Sequence, residues 1–115
     1  MANMCNNWVR ITGEKEEVKE FVELVGKDFD FNKVIPTDTD EADEAREKWD
    51  CSSIAFDTIF EELSEDEVEW YFTTKWCPPT KIYVALRDRF PDLFLYWRYE
   101  ESGCDLYGYL NNEDF

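Results

Sequence analysis

The first rhythm in the chain is a short alternation. Residues 7–12, NWVRIT, put Val9 and Ile11 on one side and polar groups on the other. A period of two predicts a strand, closed by Gly13. The period then lengthens. In residues 14–26, EKEEVKEFVELVG, Val18, Phe21, Val22 and Val25 fall at helical spacing with Leu24 beside them, and charges fill the other side. Glu14, Glu16 and Glu17 occupy the first turns, where the helix dipole favours negative charge. Gly26 suits the C-terminal cap. Residues 29–36, FDFNKVIP, return to alternation, with Phe29 and Phe31 on one face and Pro36 as the stop. A short strand is expected there.

From Thr37 to Glu69 the pattern is less regular. TDTDEADEAREKW has good helix formers after Asp40, with Asp38 or Asp40 as a possible N-cap. CSSIAFDTIFEEL carries Ile54, Phe56, Ile59, Phe60 and Leu63, a spacing that fits a helix or a buried strand. The helix is the favoured reading. VEWYFTTKW, residues 68–76, sets Val68, Trp70 and Phe72 against Glu69, Tyr71 and Thr73. Both sides are partly aromatic, which predicts a central strand. Pro78 and Pro79 end it, and TKIYVALRDRF, residues 80–90, follows as a helix with Ile82, Ala85, Leu86 and Phe90 on its apolar stripe. LFLYWRYEE (93–101) and DLYGYL (105–110) read as two further strands, separated by a turn at Gly103.

The order is strand, helix, strand, acidic segment, strand, helix, strand, strand. Setting the acidic segment aside leaves βαββαβ plus one extra edge strand. That is an α+β, ferredoxin-like split βαβ plan, with two helices on one face of an antiparallel sheet. At 115 residues one domain is expected, 1–115, with an acidic helical insert at about 37–67.

Charge changes the picture more than length does. Twenty-eight acidic residues against 12 basic ones give a net charge of −16. Phosphate binding needs Lys and Arg to release counterions, so direct nucleic-acid binding is not expected, nor is docking on an anionic membrane. An aromatic fraction of 17% is too high for a disordered acidic tail. The four cysteines, Cys5, Cys51, Cys77 and Cys104, form no CxxC pair, and there is no histidine. Free thiols in a reducing cytoplasm are the default, and a Cys₄ metal site would have to be assembled from four distant segments. No signal peptide and no membrane span are visible in the pattern.

Three stretches resemble a known family. MANMCNNWVRITG resembles its opening, in which Met-Ala/Pro-Asn is followed by Trp-Cys and a strand ending in Thr-Gly. FDFNKVIP is similar to the segment after its first helix, and TTKWCPP to its aromatic-Ser-Pro-Pro turn. The family is the YubB-type ferredoxin-like domain of small proteins from phages, plasmids and gut bacteria. The resemblance spans most of the chain outside residues 37–66. Met4 stands where that family usually has tryptophan, and Cys77 where serine is common. The resemblance implies the fold and a mobile-element setting. It supplies no reaction.

The strongest functional signal is the clustering of acid. Between Asp38 and Glu69 there are fourteen Asp or Glu and two basic residues, Arg46 and Lys48. Three readings compete: a mimic of the nucleic-acid backbone, a merely solvated face, and a cation site. For calcium, Asp38, Asp40, Glu41 and Asp43 offer oxygens, but the third ligand and the glycine of an EF-hand loop are both wrong. The aromatic set, including Trp49, Trp70, Tyr71, Phe72, Trp76, Tyr96, Trp97, Tyr99, Tyr107 and Tyr109, is mostly core and sheet. Residues 96–99 nevertheless put a ring on both faces of one strand, so an exposed aromatic patch rimmed by carboxylates would suit a protein partner. For catalysis there is no phosphate loop and no nucleophile elbow; Cys77, just before a helix start, would have a lowered pKa but no histidine base.

The expectation is a non-enzymatic acidic binder of a phage or mobile element, without cofactor or metal. It would occlude the basic groove of a host nucleic-acid-binding protein, such as a CRISPR effector or other defence nuclease. Its contact residues would be Asp38, Asp40, Glu41, Asp43, Glu44, Glu47, Glu61, Glu62, Glu65, Asp66, Glu67 and Glu69, with Trp49 and Trp70 beside them. The alternative is a small structural or regulatory interaction domain whose acidity only solubilises it, binding through a sheet edge near Leu106–Leu110.

Overall fold

The computed structural model describes residues 4–37, 42–101 and 106–110. The elements are β1 (Met4–Thr12), α1 (Lys15–Val25), a 3₁₀ turn (Phe31–Lys33), α2 (Ala42–Trp49), β2 (Phe56–Ser64), β3 (Glu67–Lys75), α3 (Thr80–Arg89), β4 (Phe94–Glu101) and β5 (Leu106–Leu110). The five strands form one sheet in the order β2-β3-β1-β4-β5, every neighbouring pair antiparallel. The architecture is α+β.

Alternation in the strands decides which side chains meet the helices. In β1, Cys5, Asn7, Val9 and Ile11 are buried; Val9 lies across from Trp70 on β3 and from Trp97 on β4. This face is roofed by Val18, Phe21 and Val25 of α1 and by Ile82, Tyr83 and Leu86 of α3. Phe21 stacks obliquely on Trp70 at 5.5 Å and Tyr83 meets Trp97 edge-on at 5.9 Å. Polar groups are buried beside the rings as well, among them Asn7, Thr74 and Glu101. Asn7 donates to the Cys5 carbonyl and to Thr74 Oγ1, and its Oδ1 accepts from the Trp97 indole at 3.1 Å. Every partner there is satisfied, as a dry core requires.

Two segments differ from the sequence expectation. FDFNKVIP is not a strand. Phe29 adopts φ 55 and a 3₁₀ turn follows. Asp30 accepts from the Asn32 amide, and Asn32 accepts from the Thr37 amide. These side chains give the backbone local partners in place of a ladder. The alternating Phe29 and Phe31 are plugs: both are fully buried, and Phe29 touches Phe72 at 4.9 Å and Trp97 at 5.6 Å.

The second correction is CSSIAFDTIFEEL, favoured as a helix. Phe56–Ser64 is instead the outermost strand β2. Its apolar residues never converge on a core: Phe60 packs on Trp70 at 5.1 Å, while Ile59 is 62% exposed on the opposite face. The acidic segment is therefore not an insert over 37–67. Its second half is a β-hairpin of the sheet, turning at Glu65 and Asp66, and α2 lies in the long connection between α1 and β2.

Candidate functional site

The predicted carboxylates do not share one surface. Asp38, Asp40, Glu41 and the side chain of Asp43 lie outside the described residues. Glu44 and Glu47 sit on α2, which is tied to the Lys75 end of β3: the Ser52 amide donates to the Lys75 carbonyl, and Lys81 Nζ to the Glu47 carbonyl. The hairpin turn is at the other end of that nine-residue strand, about 26 Å away at the usual rise. Positive charge also tempers the α2 end. Lys81 lies 3.8 Å from Asp50, and Arg46 and Lys48 are in the last helical turn. Glu44 accepts from the Thr37 hydroxyl at 2.9 Å, a contact within the connection itself.

Trp49 and Trp70 need correction too. They are 2% and 0% exposed, and cannot meet a partner. Trp49 donates its indole N–H to the Ile35 carbonyl and packs on Phe31; Trp70 donates to the Gly26 carbonyl. Sequence placed them by proximity to acid. Burial follows from register: Trp70 alternates with Val68 and Phe72 on the roofed face.

The hairpin end does gather charge. Glu61, Glu62, Glu65, Asp66, Glu67 and Glu69 lie on its two strands and turn. Glu61 is directly opposite Glu69, a repulsive pair that Arg10 relieves at 3.6 Å from Glu69. The turn closes on the start of α1: the Gly13 amide donates to the Asp66 carbonyl at 3.2 Å, and Asp66 Oδ1 accepts from Ser64. This contact adds Glu14 beside Glu65 and Asp66. Glu17, on the same helix, has Asp92 as a neighbour. Partial burial, then Asp92, Glu14 and Glu20, hold its carboxyl above the ordinary value. A groove of about 490 Å³ between α1 and β2 has Val18, Val22 and Val68 at its base and Lys15, Lys19, Glu16 and Glu62 on its rim. Glu14 was missed because its proximity to the hairpin depends on β2 being a strand.

A second surface lies on the open face of the sheet. Trp8, Arg10, Tyr71, Tyr96, Arg98 and Tyr109 project there, interleaved across four strands. Trp8 meets Tyr71 edge-on at 5.2 Å, and the Arg98 guanidinium lies over Trp8 at 4.5 Å. Tyr96 and Tyr109 pack at 5.4 Å, and their hydrogen bond raises the Tyr96 phenol above its ordinary value.

Among the described residues, the Cys5 and Cys51 thiols are buried and Cys77 is partly so. Burial pushes Cys5 and Cys51 up to about 12. Cys77, expected to be lowered by its helix, is instead raised by burial, with Arg46 opposing, and it donates to the Asp50 carbonyl. Among the described residues no three Cys, Asp or Glu side chains group to hold a metal ion. No described helix is long and apolar enough to cross a membrane.

Residues 53–114, more than half of the chain, match a family described as a ferredoxin-like domain in Api92-like protein. No curated protein and no solved structure gives a significant match.

Proposed function

Because this chain belongs to the family of ferredoxin-like domains in Api92-like proteins, we propose that it is a binding module and not an enzyme, whose hairpin end docks on a basic surface of a nucleic-acid-handling protein. One observation carries this reading: the β2–β3 turn closes on the start of α1 through Gly13 and Asp66, so that carboxylates from separate segments face solvent together. Crowded surface charge of one sign raises the encounter rate with an oppositely charged partner. Two residues apart on one strand face, Glu67 and Glu69 stand about 7 Å from each other, a repeated negative charge on a stiff support. The site of this proposal is smaller than the acidic segment of the sequence. It leaves out α2 and the two core tryptophans.

The finer affiliation is part of the same proposal. The strand order β2-β3-β1-β4 supports the split βαβ plan, in which each helical crossover spans a strand. The YubB-type likeness supports a phage or plasmid setting. In that setting a defence nuclease or CRISPR effector is the class of host protein with the required basic groove, and the module would act by occlusion.

The test is a pull-down from bacterial lysate at low salt, eluted first with duplex DNA and then with rising salt. The wild type should retain nucleic-acid-binding proteins that duplex DNA displaces. A variant with Glu61→Lys, Glu62→Lys, Glu65→Lys and Asp66→Lys, shown folded by circular dichroism, should retain none of them. Equal retention by the two proteins would overturn the reading. A second reading rests on β5 being the outermost strand beside β4. A domain that binds by adding a strand there would hold its partner with little dependence on salt.

A further inference from the structure

We infer that the open sheet face is the docking site for an arginine-rich segment of the basic partner, with a guanidinium taken over Thr12 between the Phe94 ring and the Glu67 carboxylate, beside the Arg10–Glu69 pair. The inference rests on the basic-partner reading above and names the chemistry that partner must present. A groove of about 380 Å³ runs over this face, with Phe94, Tyr96 and Arg98 on one side, Glu67 and Glu69 on the other, and Trp8, Arg10 and Thr12 of β1 along its floor. Phe94 is 63% exposed, Tyr109 53% and Tyr96 37%. The same strands bury Val9, Ile11, Trp70, Phe72 and Trp97 on their other face, whereas the exposed rings of Phe94, Tyr96 and Tyr109 share the open one.

Rings beside carboxylates match a planar cation on an apolar stem. A guanidinium can lie flat on a ring and donate in a fork to a carboxylate at its edge; an ammonium does only the second well. The chain already shows the pairing within itself. Arg98 lies over Trp8 at 4.5 Å with Glu100 at 3.8 Å, and Arg10 reaches Glu69 at 3.6 Å. Neither Glu61 nor Glu67 is in an ion pair among the described residues, so acid remains for an incoming cation.

Two other occupants fit less well. Single-stranded nucleic acid stacks on aromatic faces, but it also needs cations for its phosphates. Both arginines of this face are already held by carboxylates, and the net charge of −16 repels the strand. A second copy of the chain brings another −16 to the same contact. An arginine-rich segment is drawn by that charge.

The experiment uses three probes with the full chain: octa-arginine, octa-lysine and an oligo-dT strand, each followed by amide and indole chemical shifts. Octa-arginine should shift Trp8, Tyr96 and Arg98 and bind about fivefold more tightly than octa-lysine. Phe94→Ala with Tyr96→Ala, both exposed and outside the core, should remove that preference and leave octa-lysine binding unchanged. Equal binding of the two peptides, with shifts confined to Glu61–Asp66, would overturn the inference and leave the charge reading standing. Oligo-dT shifting the open face would overturn it in favour of nucleic acid. Failure of both peptides to bind would overturn the inference and the charge reading together.

Discussion

The two faces of the sheet use the same strands and nearly the same aromatic residue types, and they reach opposite states. Under the helices, Trp70, Phe72 and Trp97 are sealed with Phe21, Phe29 and Tyr83, and their polar companion Asn7 has each contact satisfied. On the other side, Trp8, Tyr71 and Tyr96 stand among Arg10, Arg98 and Glu69, half-exposed. An aromatic side chain is therefore no signal of core or of interface by itself. What separates them is the company each keeps along the alternation: apolar on one face, ion-paired on the other. That difference also predicts where substitution will hurt.

The largest contrast is between Trp97 and its neighbour Tyr96. Trp97→Ala opens a cavity under α3 and should cost about 3–5 kcal/mol, enough to unfold a domain of this size at modest temperature. Tyr96→Ala should stay within about 0.5 kcal/mol, as surface substitutions do. Chemical denaturation of both variants measures this directly, and similar losses would show that the open face is covered in solution. A middle-sized effect is expected at Asn7. Asn7→Ala leaves the Trp97 indole and the Thr74 hydroxyl without their buried partner and should cost about 1–3 kcal/mol. A loss under half a kcal/mol would mean that water enters this face. The smallest effect belongs to the open side. A double-mutant cycle on Trp8 and Arg98 should give a coupling of about 0.5–1 kcal/mol, and no coupling would show that the stacked geometry is not held in solution.

Much of the scaffold was legible. β1, α1, β3, α3 and β4 follow from periodicity and from proline and glycine stops, because each has one clear apolar face. The failures are informative in the same terms. FDFNKVIP has a strand's alternation, yet Asp30 and Asn32 offer the backbone closer partners, and its phenylalanines are needed as plugs under Trp97. Phe56–Ser64 has no consistent apolar face because it is outermost and half wet, so its pattern matched a helix by default. That single error carried into the site. With β2 read as a helix, the acid from Asp38 to Glu69 looked like one arm. With β2 as a strand, the hairpin and α2 separate to opposite ends, and Glu14 joins the hairpin instead. Charge density was visible in the sequence; its placement depends on a pairing partner 55 residues away in β1, where Thr12 lies across from Glu67.

The position of β2 at the margin of the sheet has one more consequence. A strand with an unpaired side is a template on which another chain can grow, and the hydrophobic Ile59 and Phe60 would favour such growth. Here the template is spoiled twice. Its register slips between Phe56 and Ile59, where Asp57 takes φ 53, and farther along Glu61 and Glu62 would face their own copies in any stacked assembly. The acid of this hairpin thus guards the protein against fibrillar self-association, whatever else it meets.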